Sequence, residues 1–587
     1  ARLQAAPAAL GSASLVVQNE NQLYATSNVS YSNNISLTGD GYNDALGSIG
    51  ALRMDGGVTW NGAVAVTGTA GDSAGTAYDA RIGTVTSNAV SVLAGSITGG
   101  DVSFWGYNNS TPFIRLLAAN SYGDTIIGGA DNVAAGGSIG VTVGNGEAVP
   151  TNTTATLGTG DVYLVAGNNA TPHQSILRIN RADGYTLGAG QDIFGVATAS
   201  AQLVAGAQLL IDTTGTGFTV GANTIDLADA TNGGQIRVAQ LANNSIMNIG
   251  VGSTIDSGFL RVGEASGIAG TINQTGGSVN AVQDVRVGHF GAATSTYNFS
   301  NGTITLPTTP ASEPSTSGAT EVSGALYVGV DGTGIFNQTN GTLNVAGIVL
   351  DNRVATAGED QFNLSGGTVE LRNSYGIVGR NTSATVALNG GTIKNVGTGV
   401  DVSINATTVT TSGTTTLDTN GATNKFSLMS SITGSGSLST AGGGVIELEP
   451  DSNATKTSVS TGTGTQSISA VIAGTSAVTK VGTGTTTLSA VNTYSGATTV
   501  NAGRLNITGS LANSDVTVAT GATISGEGTV KSLTFGTGST TLVADGLTTG
   551  ALTSTGTLTV NGIVSVDLAA LSTGAVTVLT HGGTTAT

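Results

Sequence analysis

The chain offers few side chains that could do nucleophilic, acid–base or metal chemistry, and their spacing argues against each in turn. Histidine occurs at His173, His289 and His581. A metal site or a proton-transfer pair needs such groups close together, and these lie too far apart to meet on neighbouring repeats. Cysteine is absent, which removes disulfides and thiolate ligands. Ser73 and Ser138 stand in G-x-S-x-G strings, Gly71 to Gly75 and Gly136 to Gly140. With 91 glycines such strings arise by chance, and neither has the strand-to-helix context of a nucleophile elbow, so both read as loops. Asp40 and Asp44 in GDGYND could face a cation, but Tyr42 fills a position where a calcium loop carries Asp or Asn. Paired carboxylates with a basic partner can cut polysaccharides, which singles out Asp101, Asp161 and Arg115, and Glu359 with Asp360, placed in a loop. The 35 acidic residues are scattered and form no column, so an accidental pair is the better reading. No catalytic, cofactor-binding or metal-binding residue is assigned, no cofactor is expected, and the chain is read as not an enzyme.

The elements that would position these residues are set by an internal repeat. Between Thr271 and Asn395 one phrase recurs: INQTGGSVN, YNFSNGTIT, FNQTNGTLN, FNLSGGTVE, VALNGGTIK. Its glycine falls at Gly277, Gly302, Gly341, Gly367 and Gly391, giving steps of 25, 39, 26 and 24 residues. The long step contains LPTTPASEPSTSGAT (Leu306 to Thr320), whose three prolines cannot sit in a ladder and mark an inserted loop. Positions restricted to Gly and Asn point to positive φ, hence a turn with strand on both sides. An Asn-Gly pair between strands could close a hairpin. Chemically uniform columns argue instead for stacking of each residue on its equivalent one period away. Ile272, Tyr297, Phe336, Phe362 and Val386 form one apolar column, and Val279, Ile304, Leu343, Val369 and Ile393 another. The aromatic members align with aliphatic ones and so face the core rather than a sugar. Short apolar pairs with an outward residue between them, Leu260-Arg261-Val262, Val285-Arg286-Val287 and Leu326-Tyr327-Val328, supply a further strand per unit.

Composition agrees. Hydrophobic residues make up 39%, charged residues 9% and aromatics 4% of 587 residues, with a net charge of −17. Disorder combines low hydrophobicity with high charge, so this chain has apolar surface to bury. The acidic balance argues against nucleic acid and anionic membrane, and no apolar run reaches spanning length. The start lacks the regions of a signal peptide, so a secreted protein would already have lost its signal. The end shows no closing polar cap, which suggests that further chain follows.

Three segments follow: 1–242, irregular β-solenoid; 243–396, the regular array; and 397–587. In the first, GDVSFWGYNNSTP (Gly100 to Pro112) returns as GDVYLVAGNNATP (Gly160 to Pro172), a step of 60 residues that fits two to three rungs, with Asn108 and Asn168 in turns. In the third, ITGSGSLSTAGGGVIEL (Ile432 to Leu448) matches IAGTSAVTKVGTGTTTL (Ile472 to Leu488) at 40 residues. The run VTKVGTGTTTLSAVNTYSGATTVNAGRL (Val478 to Leu505), through Lys480, Gly482, Gly484, Leu488, Asn492, Thr493, Tyr494, Gly496, Thr498, Val500, Gly503 and Leu505, resembles the autotransporter-associated β-strand repeat of bacterial passenger domains. A weaker echo, GALRMDGGVTWNGAVAVTG (Gly50 to Gly68), has Trp60 in the place of the tyrosine and lacks the Asn-Thr-Tyr core. The resemblance implies a right-handed parallel β-helix at the cell surface or outside the cell. Such passengers are usually exported through an outer-membrane barrel, and no barrel segment is present in these residues.

The expectation is therefore all-β: a single elongated right-handed parallel β-helix with ~25-residue rungs and short loop insertions. Its role would be structural and extracellular, as an adhesin stalk, matrix component or self-assembling filament subunit. Homo-oligomers would form end to end or laterally, since solenoid ends expose unpaired strand groups, and surface glycans are possible partners. The competing class is a polysaccharide lyase, a glycoside hydrolase or a glycan-binding fibre module. The first two would need acidic and basic groups converging near the Leu306 to Thr320 loop or the Asn108 and Asn168 turns, and the last an exposed aromatic patch. A charge at Phe336 or Leu343 should destabilise the solenoid, whereas one at Gln338 should be tolerated better.

Overall fold

The computed structural model describes the chain except at residues 27, 45–46, 69, 72–76, 86–89, 107–111, 129–137, 167–173, 198–205, 229–232, 292, 307–323, 351–358, 381–383, 450–463, 545–550, 569–576, 584 and 587. Two compact units are present, one built from residues 1–298 and one from 314–587, with the few residues around 299–313 apportioned between them. Each unit is a parallel β-solenoid. Apart from one four-residue helix, Pro7–Leu10, the described elements are strands. Among the described residues antiparallel pairing is confined to two small hairpins, Asn43–Asp44 with Gly47–Ser48 and Ala70–Gly71 with Ala77–Tyr78.

A rung consists of three short arms. In the first unit Ser245–Ile249 leads through a corner into Thr254–Val262, whose bulge between Ser257 and Phe259 splits it into two arms, and Gly270–Gln274 then begins the next rung. In the second unit Asp360–Leu364, Thr368–Gly379 and Ala384–Leu388 follow one another in the same way. Equivalent residues stack in register. Met247 lies over Ile272 and Ile255 over Val279; Phe336, Phe362, Val386 and Val409 form one continuous stack, as do Leu343, Val369, Ile393 and Leu417. All of these are at most 1% exposed, so the apolar columns do face inward. Each such side chain contributes roughly 1.5–3 kcal/mol by burial. Phe336 and Phe362 add a stacked pair at 5.9 Å.

The Asn-Gly and Gly-Gly positions are corners, not hairpins. Gly277, Gly341, Gly367 and Gly391 all have φ between 68° and 79°. A Cβ at Gly277 would lie 2.5 Å from the Ser253 carbonyl oxygen, and one at Gly391 2.8 Å from that of Gly367. Close contact between rungs therefore needs glycine there, in addition to the backbone sign.

Rung length is not constant. Ala80 stacks on Val102, Thr125, Val162 and Ile193 in turn, which are steps of 22, 23, 37 and 31 residues. The 60-residue repeat is thus two rungs. In the second unit the steps shorten from Val478 to Thr498, Val516 and Leu533, and lengthen again from Leu533 to Leu558. The 40-residue match is not a stacking distance: Ile472 pairs with Leu438, while Ile432 pairs with Ile468 on another arm.

Two assignments of facing need correction. Alternation does put Arg261, Arg286 and Tyr327 on the outer side of their arms, but they are only 6%, 1% and 1% exposed, so that side is covered as well. Tyr327 belongs to a second apolar cluster with Val349 and Val378. Gln338 is fully buried, because it lies two residues from Phe336 and shares its face; its amide donates to the Gly341 and Thr368 carbonyls at 3.3 and 3.1 Å. The outward residue is Asn337, which accepts from the amide of Asn363 at 2.8 Å.

Candidate functional site

Contrary to the scattered reading of the acidic residues, five aspartates of the first unit form a column. Asp101 N–H donates to Asp79 Oδ2 at 2.9 Å, Asp124 N–H to Asp101 Oδ1 at 2.7 Å, and Asp161 N–H to Asp124 Oδ1 at 2.8 Å. Asp192 N–H donates to Asp161 Oδ1 at 2.9 Å, and Thr224 N–H closes the series on Asp192 Oδ1 at 2.7 Å. Each aspartate stands just before an arm that begins with an inward residue, so its carboxylate meets the corner amide of the next rung. Ionised carboxylates only accept, hence identical aspartates cannot bond to one another. Burial pushes the Asp124 carboxyl up, the amide of Asp161 opposes this, and the charges of Asp101 and Asp161 reinforce it.

A second column runs along the arm that follows. Arg237, Arg261 and Arg286 stack on three successive rungs. Around them lies a buried network. Glu264 Oε1 is 2.6 Å from His289 Nδ1, Arg286 Nη1 is 3.3 Å from His289 Nε2, and Arg286 pairs with Asp284 at 2.7 Å. Burial and the neighbouring arginines hold His289 below its ordinary value despite Glu264. Burial would raise Glu264, but its bond to His289 and the arginines outweigh this and hold it low. The arrangement is a neutral imidazole donating from Nδ1 to a carboxylate and accepting from Arg286 at Nε2. One rung row earlier, Asp212, fully buried, accepts from the amides of Gln240, Leu241 and Ala242 at 2.9, 2.6 and 3.1 Å and lies 3.2 Å from Arg178 Nε.

The side chains singled out in the sequence fall as follows. His289 is in the buried network; His581 is exposed, with Nδ1 3.1 Å from the Gly583 carbonyl; His173 lies outside the described residues. Ser138 accepts from the Gln174 amide at 3.0 Å and is buried, and Ser73 lies outside the described residues. Asp101 and Asp161 are brought into one column two rungs apart, but Arg115 is on the next arm, 3.1 Å from Glu147. Asp360 is not in a loop: it opens a strand, is buried and accepts from the Gly334 amide at 2.7 Å, while Glu359 beside it is exposed. Asp40 precedes the small hairpin that contains Asp44. The Asn108 and Asn168 turns and the Leu306 to Thr320 loop, Leu306 excepted, lie outside the described residues. Tyr297 is buried, its hydroxyl donating to Gln274 Oε1 at 2.7 Å. Trp60 is buried against Tyr31 at 5.1 Å. Among the described residues no three His, Asp or Glu side chains are arranged to hold a metal ion, and no helix is long and apolar enough to cross a membrane.

In the second unit seven of the residues that carried the family resemblance have a visible structural task. Lys480 is fully buried and its ammonium donates to the carbonyls of Val481, Gly482 and Ala502 at 2.6, 2.9 and 3.3 Å. Asn492 accepts from the Ile472 amide at 2.9 Å and donates to Ala490 at 3.0 Å. The Tyr494 hydroxyl is 2.6 Å from Thr498 Oγ1, which is 2.7 Å from Ser514 Oγ, and burial pushes its pKa up to about 12. Leu488, Val500 and Leu505 are core residues. Residues 478–507 match the family model described as Passenger-associated-transport-repeat. This stretch is therefore a passenger-type repeat, a kind of sequence that goes with an outer-surface or extracellular location. Compared with curated proteins and with solved structures, the chain matches none.

Proposed function

We propose that this chain is a non-catalytic structural passenger displayed on or released from the cell surface, whose solenoids act as stalk, matrix component or filament subunit. One observation carries the reading: in residues 478–507 the buried Lys480, Asn492 and Tyr494 are engaged in holding backbone and neighbouring rungs, which is architecture rather than chemistry. The polysaccharide-cleaving alternative has less support, because the aspartates of the column hold backbone amides and Glu264 and His289 are buried away from any substrate. Association through exposed strand edges follows from the parallel ladder. Labelling of intact producing cells with a non-permeant amine reagent tests the location: modification of exposed Lys531 is expected, and protection until lysis would overturn it. Depolymerisation of any neutral or acidic polysaccharide by the purified chain would overturn the non-catalytic part, and a strictly monomeric sedimentation profile at high concentration would overturn self-assembly.

A further inference from the structure

We infer that the outer side of the paired arms at residues 162–165 and 193–196 is a docking surface for a glycan bearing free amino groups, an inference that rests on the surface role proposed above and names its partner. Tyr163 and Phe194 are in register on adjacent rungs, their rings stacked at 5.7 Å and 27°. Val162, Leu164 and Ile193 point into the core, so alternation turns both rings outward. Both are half-buried rather than closed off. Their footing is fixed, since Tyr78, Ile126 and Val165 form an apolar cluster on this outer side against which Tyr163 and Val196 pack. The result is a supported, two-rung aromatic platform.

Charge selects the occupant. Asp124, Asp161 and Asp192 border the platform, each with one oxygen on a backbone amide, and none is ion-paired with Lys or Arg among the described residues. The Tyr163 hydroxyl lies 3.5 Å from Asp161 Oδ2. Carboxylates accept from hydroxyl and ammonium groups, and ring faces attract both the apolar face of a sugar and a cation. Uronate or sulfate groups would be repelled here, and the net charge of −17 adds to that. An amino sugar meets all of these conditions at once.

The test is titration calorimetry of the full chain with a glucosamine hexamer, its N-acetylated counterpart, a galacturonate hexamer and hexalysine. The amino hexamer is expected to bind, the acetylated one about tenfold more weakly, and the uronate not at all. Tyr163→Leu and Phe194→Leu, which keep the apolar footing, should each weaken binding about tenfold with unchanged unfolding curves. Asp161→Asn should remove most of its salt dependence. Binding of hexalysine that ignores the ring variants would mark a mere polyanion and overturn the inference. Equal affinity for the acetylated hexamer, or no binding by the amino hexamer, would overturn it too. These failures leave the surface reading standing when cell labelling succeeds, whereas failed labelling removes that reading by itself.

Discussion

Between residues 79 and 289 the outer side of the rungs carries one column of aspartates and one of arginines, whereas along the regular rungs from 335 to 395 asparagine and threonine ladders stand beside a mixed column of Asn344, Glu370 and Lys394. Asn337 and Asn363 bond to one another directly, and Thr368, Thr392 and Thr416 repeat one above the next. An amide both donates and accepts, so identical residues can stack without help. A carboxylate cannot, and each aspartate of the first column must find a backbone amide, while each arginine of the second needs a carboxylate. Self-complementary ladders allow near-identical rungs. Charged columns require separate partners at each level: the aspartate column meets them on rungs of 22 to 37 residues, the arginine column on rungs of 24 and 25.

Substitutions can break this contrast, beginning where the effect is largest. Phe336→Asp places an unpaired charge in the amide-laddered region's core and should cost at least about 4 kcal/mol, read as loss of hydrogen-exchange protection over residues 333–395. Asp212→Ala strands three amides and Arg178, and should cost about 3–5 kcal/mol in chemical denaturation, confined to the first unit. Lys480→Met leaves three corner carbonyls without their donor and should lower stability by about 2–3 kcal/mol in the second unit. Acid should discriminate further. His289 and Glu264 are both held below their ordinary values of 6.5 and 4.5, so the unfolded chain binds protons that the folded one refuses. Stability from this pair is present at pH 7 and declines as pH falls through 6.5 and again through 4.5. Exchange protection over 259–290 should weaken between pH 7 and 5, while the Phe336, Phe362 and Val386 stack, which has nothing to titrate, should not change. The smallest effect sharpens the comparison from the other side. Asp124 is shifted upward, so its neutral form suits the fold better; Asp124→Asn should raise thermal stability at pH 7 by a few tenths of a kcal/mol after screening.

The regular rungs were legible because their corner glycines recur at nearly equal steps, and the inward columns followed directly. The aspartate column was hidden by steps that range from 22 to 37 residues. A local signal existed: Asp followed by an inward residue in DARI, DVSF, DTII, DVYL and DIFG. Only two of the five were compared, through the 60-residue repeat. A charge at Gln338 was expected to be better tolerated than one at Phe336, although strand alternation puts both on the inward face. The arginines at 261 and 286 were recognised as outer residues, but their covering could not be read, since burial of a charged side chain depends on partners such as Asp284 and Glu264 distant in the fold. Lys480 was legible as a family mark and not as a buried ammonium, because the carbonyls it serves belong to a corner.

The stacked corner glycines also bear on how such a chain can change over generations. Because the corner at Gly367 fits against Gly341 in the same way that Gly391 fits against Gly367, a duplicated or deleted stretch that starts and ends at equivalent corners meets the same neighbour as before. Loss of a single residue within an arm instead turns the side chains that follow it in that arm to the opposite face. Length can therefore drift by whole rungs while register stays fixed, which makes copy number the freely adjustable property of the molecule.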